Sequence, residues 1–285
     1  MAMCMVGMDD DATLRTWTTG LRRSAPPVVL LHGGPGLPDY LQAVAQMLDD
    51  VTVVHRYDQR GTGRSCWDGP HTLARHIADL KLLLDGWGHE QVVLVGHSYG
   101  SDLASYFTLA HPERVARLVH LAGPFTGNWR EPCKATEVSR RTYTQQSRFE
   151  ILDAMEVRSE AEEVEFLALA WFTDHADRRR AWRWALEAAR IRRPINYSMN
   201  SQLSVDKKAD PLDARIDELR EVLPSGSMII GGAGDPRPAD ELTRLGTRLD
   251  CDVAILPEAG HFPWLEAPGR FRSLLRSAVE QPIPG

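Results

Sequence analysis

The sequence predicts an α/β fold, with a mostly parallel central sheet and a block of helices inserted between two of its strands. Three observations carry that expectation. Short, nearly continuous apolar runs recur along the 285 residues, each closed by a glycine-bearing turn. Amphipathic helical segments alternate with those runs. The alternation lapses from residue 124 to residue 223 and then resumes.

The apolar runs lie at residues 28–31, 51–54, 92–95, 115–121, 228–230 and 253–256. They are too short for helices and too apolar to keep one face in water, so they fit strands covered on both faces. Between them, Leu73, Ile77, Leu80, Leu84 and Trp87 recur at three- or four-residue spacing and make one helical stripe, with Gly86 and Gly88 as its stop. Residues 99–110 predict a second helix, closed by His111-Pro112. Pro268 opens a third, whose stripe includes Phe271, Leu274, Leu275 and Ala278. Strands alternating with helices imply a parallel sheet. The inserted block is charged and rich in Trp, with helices expected at 160–172 and 176–191 and no glycine-bounded strand. The expected organisation is a core at 1–123, a helical cap at 124–223 and the second part of the core at 224–285.

Lys and Arg total 33 against 39 Asp and Glu, a net charge of -6. That balance argues against a broad basic surface and against nucleic acid as a partner. The run Arg178-Arg179-Arg180 and the pair Arg192-Arg193 are expected as solvated helix faces. The four cysteines (Cys4, Cys66, Cys133, Cys251) show no C-x-x-C spacing and are expected as free thiols. The apolar start, Met1 to Met8, runs at once into Asp9-Asp10-Asp11 and lacks the basic region of a signal peptide. No stretch approaches the ~20 apolar residues of a membrane span. A cytoplasmic chain with neither membrane nor nucleic-acid partner is expected.

The chemistry is concentrated after the third apolar run, where Gly96-His97-Ser98-Tyr99-Gly100 leads into the helix at 99–110. A G-x-S-x-G on a strand-to-helix turn lifts its serine above the strand ends, at a helix N-terminus that favours developing negative charge. A serine hydroxyl needs a base, and in this arrangement the acid and then the histidine follow later in the chain. Beyond His175 the sequence holds one histidine, His261, in the loop after the last apolar run. Asp235 follows the preceding run and is the expected acid, with Asp240 and Asp252 as weaker rivals. The glycine-rich turn His32-Gly33-Gly34-Pro35-Gly36 follows the first core strand. The backbone N–H groups of Gly34 and Tyr99 are the best pair for an oxyanion hole, and His32 is expected as a buried prop of its loop.

His32 to Gly36 read HGGPG, Asp58 to Ser65 read DQRGTGRS, and Gly96 to Ser101 read GHSYGS. With these motifs the core, most of the chain outside the cap, resembles the proline iminopeptidase branch of the α/β-hydrolase superfamily. The resemblance implies the α/β-hydrolase fold with a helical cap inserted between core strands. It implies a catalytic triad of Ser98, Asp235 and His261, an oxyanion hole at Gly34 and Tyr99, no cofactor, and release of N-terminal proline from small peptides. Asp58 and Arg60 would brace the loop beneath the nucleophile.

The sequence departs from that branch at three places. Tyr99 stands where the family has Trp, the W-x-x-W-E stretch of the cap is matched only by Trp182-Arg183-Trp184-Ala185-Leu186-Glu187, and Gly232-Ala233-Gly234-Asp235 replaces G-R-Y-D. Glu137, Glu150, Glu163, Glu165 and Glu187 are the cap carboxylates that a free amine would need, each with solvated helix face as its plainer reading. Trp171, Trp182 and Trp184 would shape and dry the pocket. The alternative substrate is an ester, lactone or thioester of a small metabolite, as in secondary metabolism. The same scaffold also serves acyl transfer, cyclisation or non-catalytic binding of small molecules. The expected partner is a small molecule or short peptide. Ser98 stands where epoxide hydrolases and haloalkane dehalogenases need Asp. His71 and His76, five residues apart, are expected as surface or structural residues with no metal.

Overall fold

The computed structural model describes residues 2–22 and 25–281. One eight-stranded sheet runs through it, built from β1 (Ala2–Gly7), β2 (Thr13–Thr19), β3 (Val28–Leu31), β4 (Val54–Tyr57), β5 (Val92–His97), β6 (Val115–Leu121), β7 (Met228–Gly232) and β8 (Asp252–Leu256). The helices of the core are α1 (Gln42–Ala45), α2 (Leu73–Gly86) and α3 (Tyr99–Ala110). After β6 come α4 (Arg130–Arg140), α5 (Tyr143–Asp153), α6 (Glu160–Trp171), α7 (Ala181–Ile191), α8 (Tyr197–Ala209) and α9 (Ile216–Val222). The core ends with α10 (Ala239–Leu249), α11 (Pro263–Glu266) and α12 (Pro268–Glu280).

The strand order is β1-β2-β4-β3-β5-β6-β7-β8, parallel from β4 to β8, with β1 and β2 antiparallel at one edge. From β3 the chain moves to β4 on one side, then crosses back to β5 on the other. The crevice between the carboxyl ends of β3 and β5 is therefore the topological switch point, where open α/β sheets bind ligands.

Five of the six apolar runs lie within the strands as expected. The run at 228–230 extends to Gly232, and the run at 51–54 is displaced. Val51 and Thr52 lie in a turn and the strand is Val54–Tyr57. The reason is that β4 buries polar side chains which satisfy one another. His55 stacks on Trp87 and bonds the Thr18 hydroxyl, while Arg56 covers the Trp17 ring and pairs with Asp39. Hydropathy along the chain does not register such pairing. β1 and β2 lie outside the expected strands: β2 alternates polar and apolar residues, and β1, within the apolar start, is a largely exposed edge strand.

One face of the sheet packs Val29, Leu31, Val92 and Leu94 against α2 and α3. The other packs Val28, Leu30, Val93 and Val95 against α1 and α12. Each fully buried Val or Leu contributes about 1.5–3 kcal/mol, and with both faces covered every residue of these strands adds to the core. The inserted helices divide. Separate apolar clusters hold α5, α6 and α7 together, through Leu152, Leu169, Ala181 and Ala185 and through Leu167, Ala168 and Ala189. Met199 and Leu203 of α8 and Ile216 and Leu219 of α9 instead join the main core beside Leu103 and Tyr106. Helix α7 begins at Ala181, later than the expected 176, because residues 177–180 form turns. Among the described residues no helix is long and apolar enough to cross a membrane.

Candidate active site

Ser98 sits between β5 and α3 with φ 54° and ψ -122°, half-buried, its N–H bonded to Leu121 O at 2.9 Å. A non-glycine residue in that conformation costs on the order of 1–3 kcal/mol and persists only where its surroundings over-determine it. Those surroundings are close backbone contacts. A Cβ on Gly96 would lie 2.3 Å from Gly100 O, and a Cβ on Gly100 would lie 2.0 Å from Leu31 O. The two glycines of G-x-S-x-G thus let α3 start against β3, and the turn presents Ser98 at the switch point.

Asp235 follows β7 and His261 follows β8, and the fold brings them together. His261 Nδ1 lies 2.6 Å from Asp235 Oδ2, with both residues buried. A carboxylate can only accept, so Nδ1 carries the proton, and Nε2 is the ring nitrogen left without a partner among the described residues. The other oxygen, Oδ1, accepts from the Arg237 N–H at 2.9 Å and from its guanidinium at 3.1 Å. Burial alone would push the Asp235 carboxyl up, but the His261 and Arg237 charges outweigh it and hold it below the ordinary value. Asp240 opens α10, and Asp252 opens β8 at an exposed position. Ser98 Oγ makes no hydrogen bond to His261 in this structure. Such bonds tighten in many enzymes only on substrate binding.

His97, the residue before Ser98, ties the serine turn to the histidine loop. Its Nε2 lies 2.9 Å from His261 O, and a carbonyl can only accept, so Nε2 carries the proton. Burial and the neighbouring His261 hold His97 well below the usual imidazole range, so it is neutral and its Nδ1 accepts. The Tyr40 hydroxyl, 2.6 Å away, therefore donates to Nδ1, and its oxygen accepts from Gly33 N–H at 2.9 Å. Gly33 N–H is thus committed, and the next amide of the loop is that of Gly34, at φ 133°. Tyr99 is the first residue of α3, where helical geometry leaves backbone N–H groups without an internal acceptor.

His32 is fully buried and braces its loop, with Nδ1 on Gly33 O at 2.9 Å and Nε2 accepting from Gln59 N–H at 3.1 Å. Asp58 accepts from the N–H groups of Asp39 and Arg64, and Arg60 pairs with Asp79 and Asp10. His71 and His76 are both buried and 3.4 Å apart, which corrects the surface reading and supports the structural one. Burial pushes His76 down to about 3. Among the described residues no group of His, Cys, Asp and Glu is arranged to hold a metal ion. All four cysteines are free, and burial pushes the Cys133 thiol up to about 12.

Three residues of the site lay outside the expectations. Asp174, in the turn after α6, accepts His261 N–H on its backbone oxygen at 2.8 Å and Arg237 on its carboxylate at 2.9 Å, so the cap is tied to the loops of both His261 and Asp235. Arg237, two residues after Asp235, bridges the two carboxylates. Arg192 was expected on a solvated face but is only 8% exposed, with its guanidinium 4.1 Å from the Tyr40 ring centre and 4.8 Å from that of Phe262. Its partners are distant in sequence, so only the bare Arg-Arg pair was visible. Arg178 is another exception to the solvated face, as it donates to Phe172 O and Arg140 O.

Of the five cap carboxylates expected for a free amine, four have partners. Glu163 binds Arg158 and Tyr197, Glu165 binds Arg148, Glu150 accepts from Gln146, and Glu137 accepts from Cys133. Glu187 is exposed. Trp182 is exposed at 41%, Trp184 lies 5.2 Å from the His175 ring, and Trp171 lies beside Arg192.

A family model described as alpha/beta hydrolase fold matches residues 26–268. Among curated relatives, epoxide hydrolase B of Mycobacterium tuberculosis is 33% identical over 109 residues, 37% of this chain and 31% of the relative. Lipase LipV of the same organism is 35% identical over 94 residues, 33% of this chain and 36% of the relative. The chain spans about a third of the length of these relatives. A hydrolase of Pseudomonas aeruginosa superposes with TM-score 0.73 at 19% identity, covering 98% of each chain. A proline iminopeptidase of Mycobacterium smegmatis gives 0.68 at 18% identity, again over 98% of each. At those identities the likeness is one of fold, and the proline iminopeptidase branch is one neighbour among several.

Proposed function

The chain belongs to the alpha/beta hydrolase family, and from that premise we propose that it is a serine hydrolase that cleaves an ester, lactone or thioester of a small molecule through an acyl-enzyme. The observation that carries this reading is the buried 2.6 Å pair of His261 Nδ1 and Asp235 Oδ2, which leaves Nε2 as the base on the carboxyl side of the sheet where Ser98 is presented.

In this reading Ser98 Oγ attacks the substrate carbonyl as His261 Nε2 takes its proton. Asp235 holds the tautomer and stabilises the imidazolium. The tetrahedral oxyanion lies between the N–H groups of Gly34 and Tyr99. The imidazolium returns its proton to the leaving oxygen or sulfur, and the C–O or C–S bond breaks. Water then repeats the sequence on the acyl-enzyme, with His261 again as base, and releases the acid and the serine.

An ester is favoured over an N-terminal prolyl peptide by the charges of the cap. A free amine calls for an uncommitted carboxylate held out of water, whereas the cap's Asp174, Glu163 and Glu165 are each paired with an arginine, as is Asp39 of the core, and Glu150 and Glu187 are exposed. An epoxide as substrate is disfavoured because serine, not aspartate, stands at the nucleophile position.

The test is labelling with a fluorophosphonate, together with initial rates on aryl esters and on a proline aryl amide. Labelling and ester cleavage lost in Ser98→Ala, with little amide cleavage, support the proposal. Amide cleavage exceeding ester cleavage would assign a peptidase, and full activity in Ser98→Ala would remove the mechanism.

A further inference from the structure

Arg192 follows the last turn of α7, where the cap returns to the core. Asn196 N–H binds Gly36 O at 2.9 Å, and the Asn200 amide binds Pro35 O at 3.3 Å, so this segment rests on the glycine-rich loop. The Arg192 guanidinium lies against three aromatic rings. Tyr40 is bonded to Gly33, Phe262 follows His261, and Trp171 is 6.0 Å away on the cap. The cation is therefore seated between the loop of the oxyanion hole and the loop of the base.

Among the described residues this guanidinium has no ion pair and donates no hydrogen bond, and its Nε is buried without an acceptor. The carboxylates whose charge reaches it, Asp39 and Asp174, are already paired with Arg56 and Arg237. Arginine does not give up its proton in a protein, so it cannot escape by neutralisation. A buried, unpaired cation is costly to the free protein, and an anion that binds there recovers the cost. A guanidinium offers a planar fork of donors that matches a carboxylate with two parallel bonds. The site supplies one uncommitted positive charge among aromatic walls, which suits a singly charged carboxylate better than a phosphate dianion.

We propose that Arg192 binds a carboxylate on the substrate, distal to the scissile carbonyl, and so directs the enzyme to half-esters or half-thioesters of dicarboxylic acids or to similar acidic esters. The catalytic part of this inference rests on the hydrolase reading above; the binding part stands without it.

Two measurements separate the parts. The first titrates glutarate, dimethyl glutarate and inorganic phosphate into Ser98→Ala, alone and combined with Arg192→Gln or Arg192→Lys. Glutarate is expected to bind in preference to the other two, to weaken at least about tenfold in Arg192→Gln, and to keep part of its affinity in Arg192→Lys. Equal affinity for glutarate and its dimethyl ester, no change in either Arg192 variant, or tighter binding of phosphate would overturn the carboxylate assignment. The second compares kcat/KM for p-nitrophenyl hemiglutarate and p-nitrophenyl butyrate in the Ser98 enzyme. Their ratio should favour the acidic ester and fall at least about tenfold in Arg192→Gln. An unchanged ratio would overturn the specificity role. Arg192-dependent binding of glutarate by a protein that cleaves no ester would keep the anion site and remove the hydrolase reading.

Discussion

His97 Nε2 donates to the backbone carbonyl of His261 across 2.9 Å, although the two residues are 164 positions apart. The serine turn and the histidine loop are thereby one mechanical unit. The unit continues through Tyr40, which links His97 to Gly33. A shift in any of these loops is transmitted to the others, because the Tyr40 hydroxyl bonds His97 and Gly33 at once and the His97 ring bonds Tyr40 and His261 at once.

Tyr40→Phe removes the donor to His97 Nδ1 and the acceptor of Gly33 N–H while keeping the ring. Two buried groups lose their partners, for an expected loss of about 1–3 kcal/mol each. Urea unfolding should report that loss. If Tyr40 also positions the oxyanion loop, kcat on an aryl ester should fall with KM little changed.

Asp235→Asn keeps the shape of the acid but offers His261 a carboxamide. The wrong tautomer becomes accessible and the imidazolium loses its counter-charge. Losses on the order of 10³–10⁴ in kcat are expected, as in other triads, with near-normal binding of a product acid. A loss below tenfold would point to a different acid.

Arg237→Met leaves the buried carboxylates of Asp174 and Asp235 without their shared cation. Breaking a buried pair from one side costs about 3–5 kcal/mol. The sign of its pH dependence follows from Asp235. Its pKa is held below the ordinary 3.8, so its contribution to stability is present above pH 3.8 and is lost as pH falls through the lower folded value. The penalty of Arg237→Met should therefore be full at pH 7 and shrink below pH 4. Equilibrium unfolding at the two ends of that range checks it.

His120 on β6 is fully buried, with neither ring nitrogen hydrogen-bonded among the described residues, and burial pushes it down to about 3. The unfolded chain takes up a proton below pH 6.5 that the folded chain refuses until pH 3. Stability from this group is full above pH 6.5 and falls by about 1.4 kcal/mol per pH unit as pH drops toward 3. His120→Leu should leave Tm nearly unchanged at pH 8 and raise it at pH 5. An equal shift at both values would rule out the proton linkage.

Gly100→Ala places a methyl 2.0 Å from Leu31 O, a contact that backbone cannot yield without moving α3 off β3. The variant should lose several kcal/mol by the strain of overpacking, about 1–3 or more, and fluorophosphonate labelling of Ser98 should fall with it. Ala at Gly86, where a Cβ meets nothing within 4 Å, is the matched control.

Local elements were readable from the chain wherever short-range pattern encodes them. The helix at 99–110 and the strand at 115–121 match their expected bounds because each is one uninterrupted apolar or amphipathic segment. Ser98 was legible because two glycines and a strand-to-helix change bracket it, and His261 and Asp235 because each closes a strand of the same sheet. The tertiary structure alone decided what long-range pairing creates. It moved β4 onto polar residues that Trp17, Trp87 and Asp39 make tolerable inside the sheet. It joined Asp174 and Arg237 to Asp235, and it turned Arg192 from one of two adjacent arginines into a buried cation between Tyr40 and Phe262. A charge carries no local sign of its burial: the same Arg-Arg pair reads as solvent-facing until residues more than 60 positions away close around it.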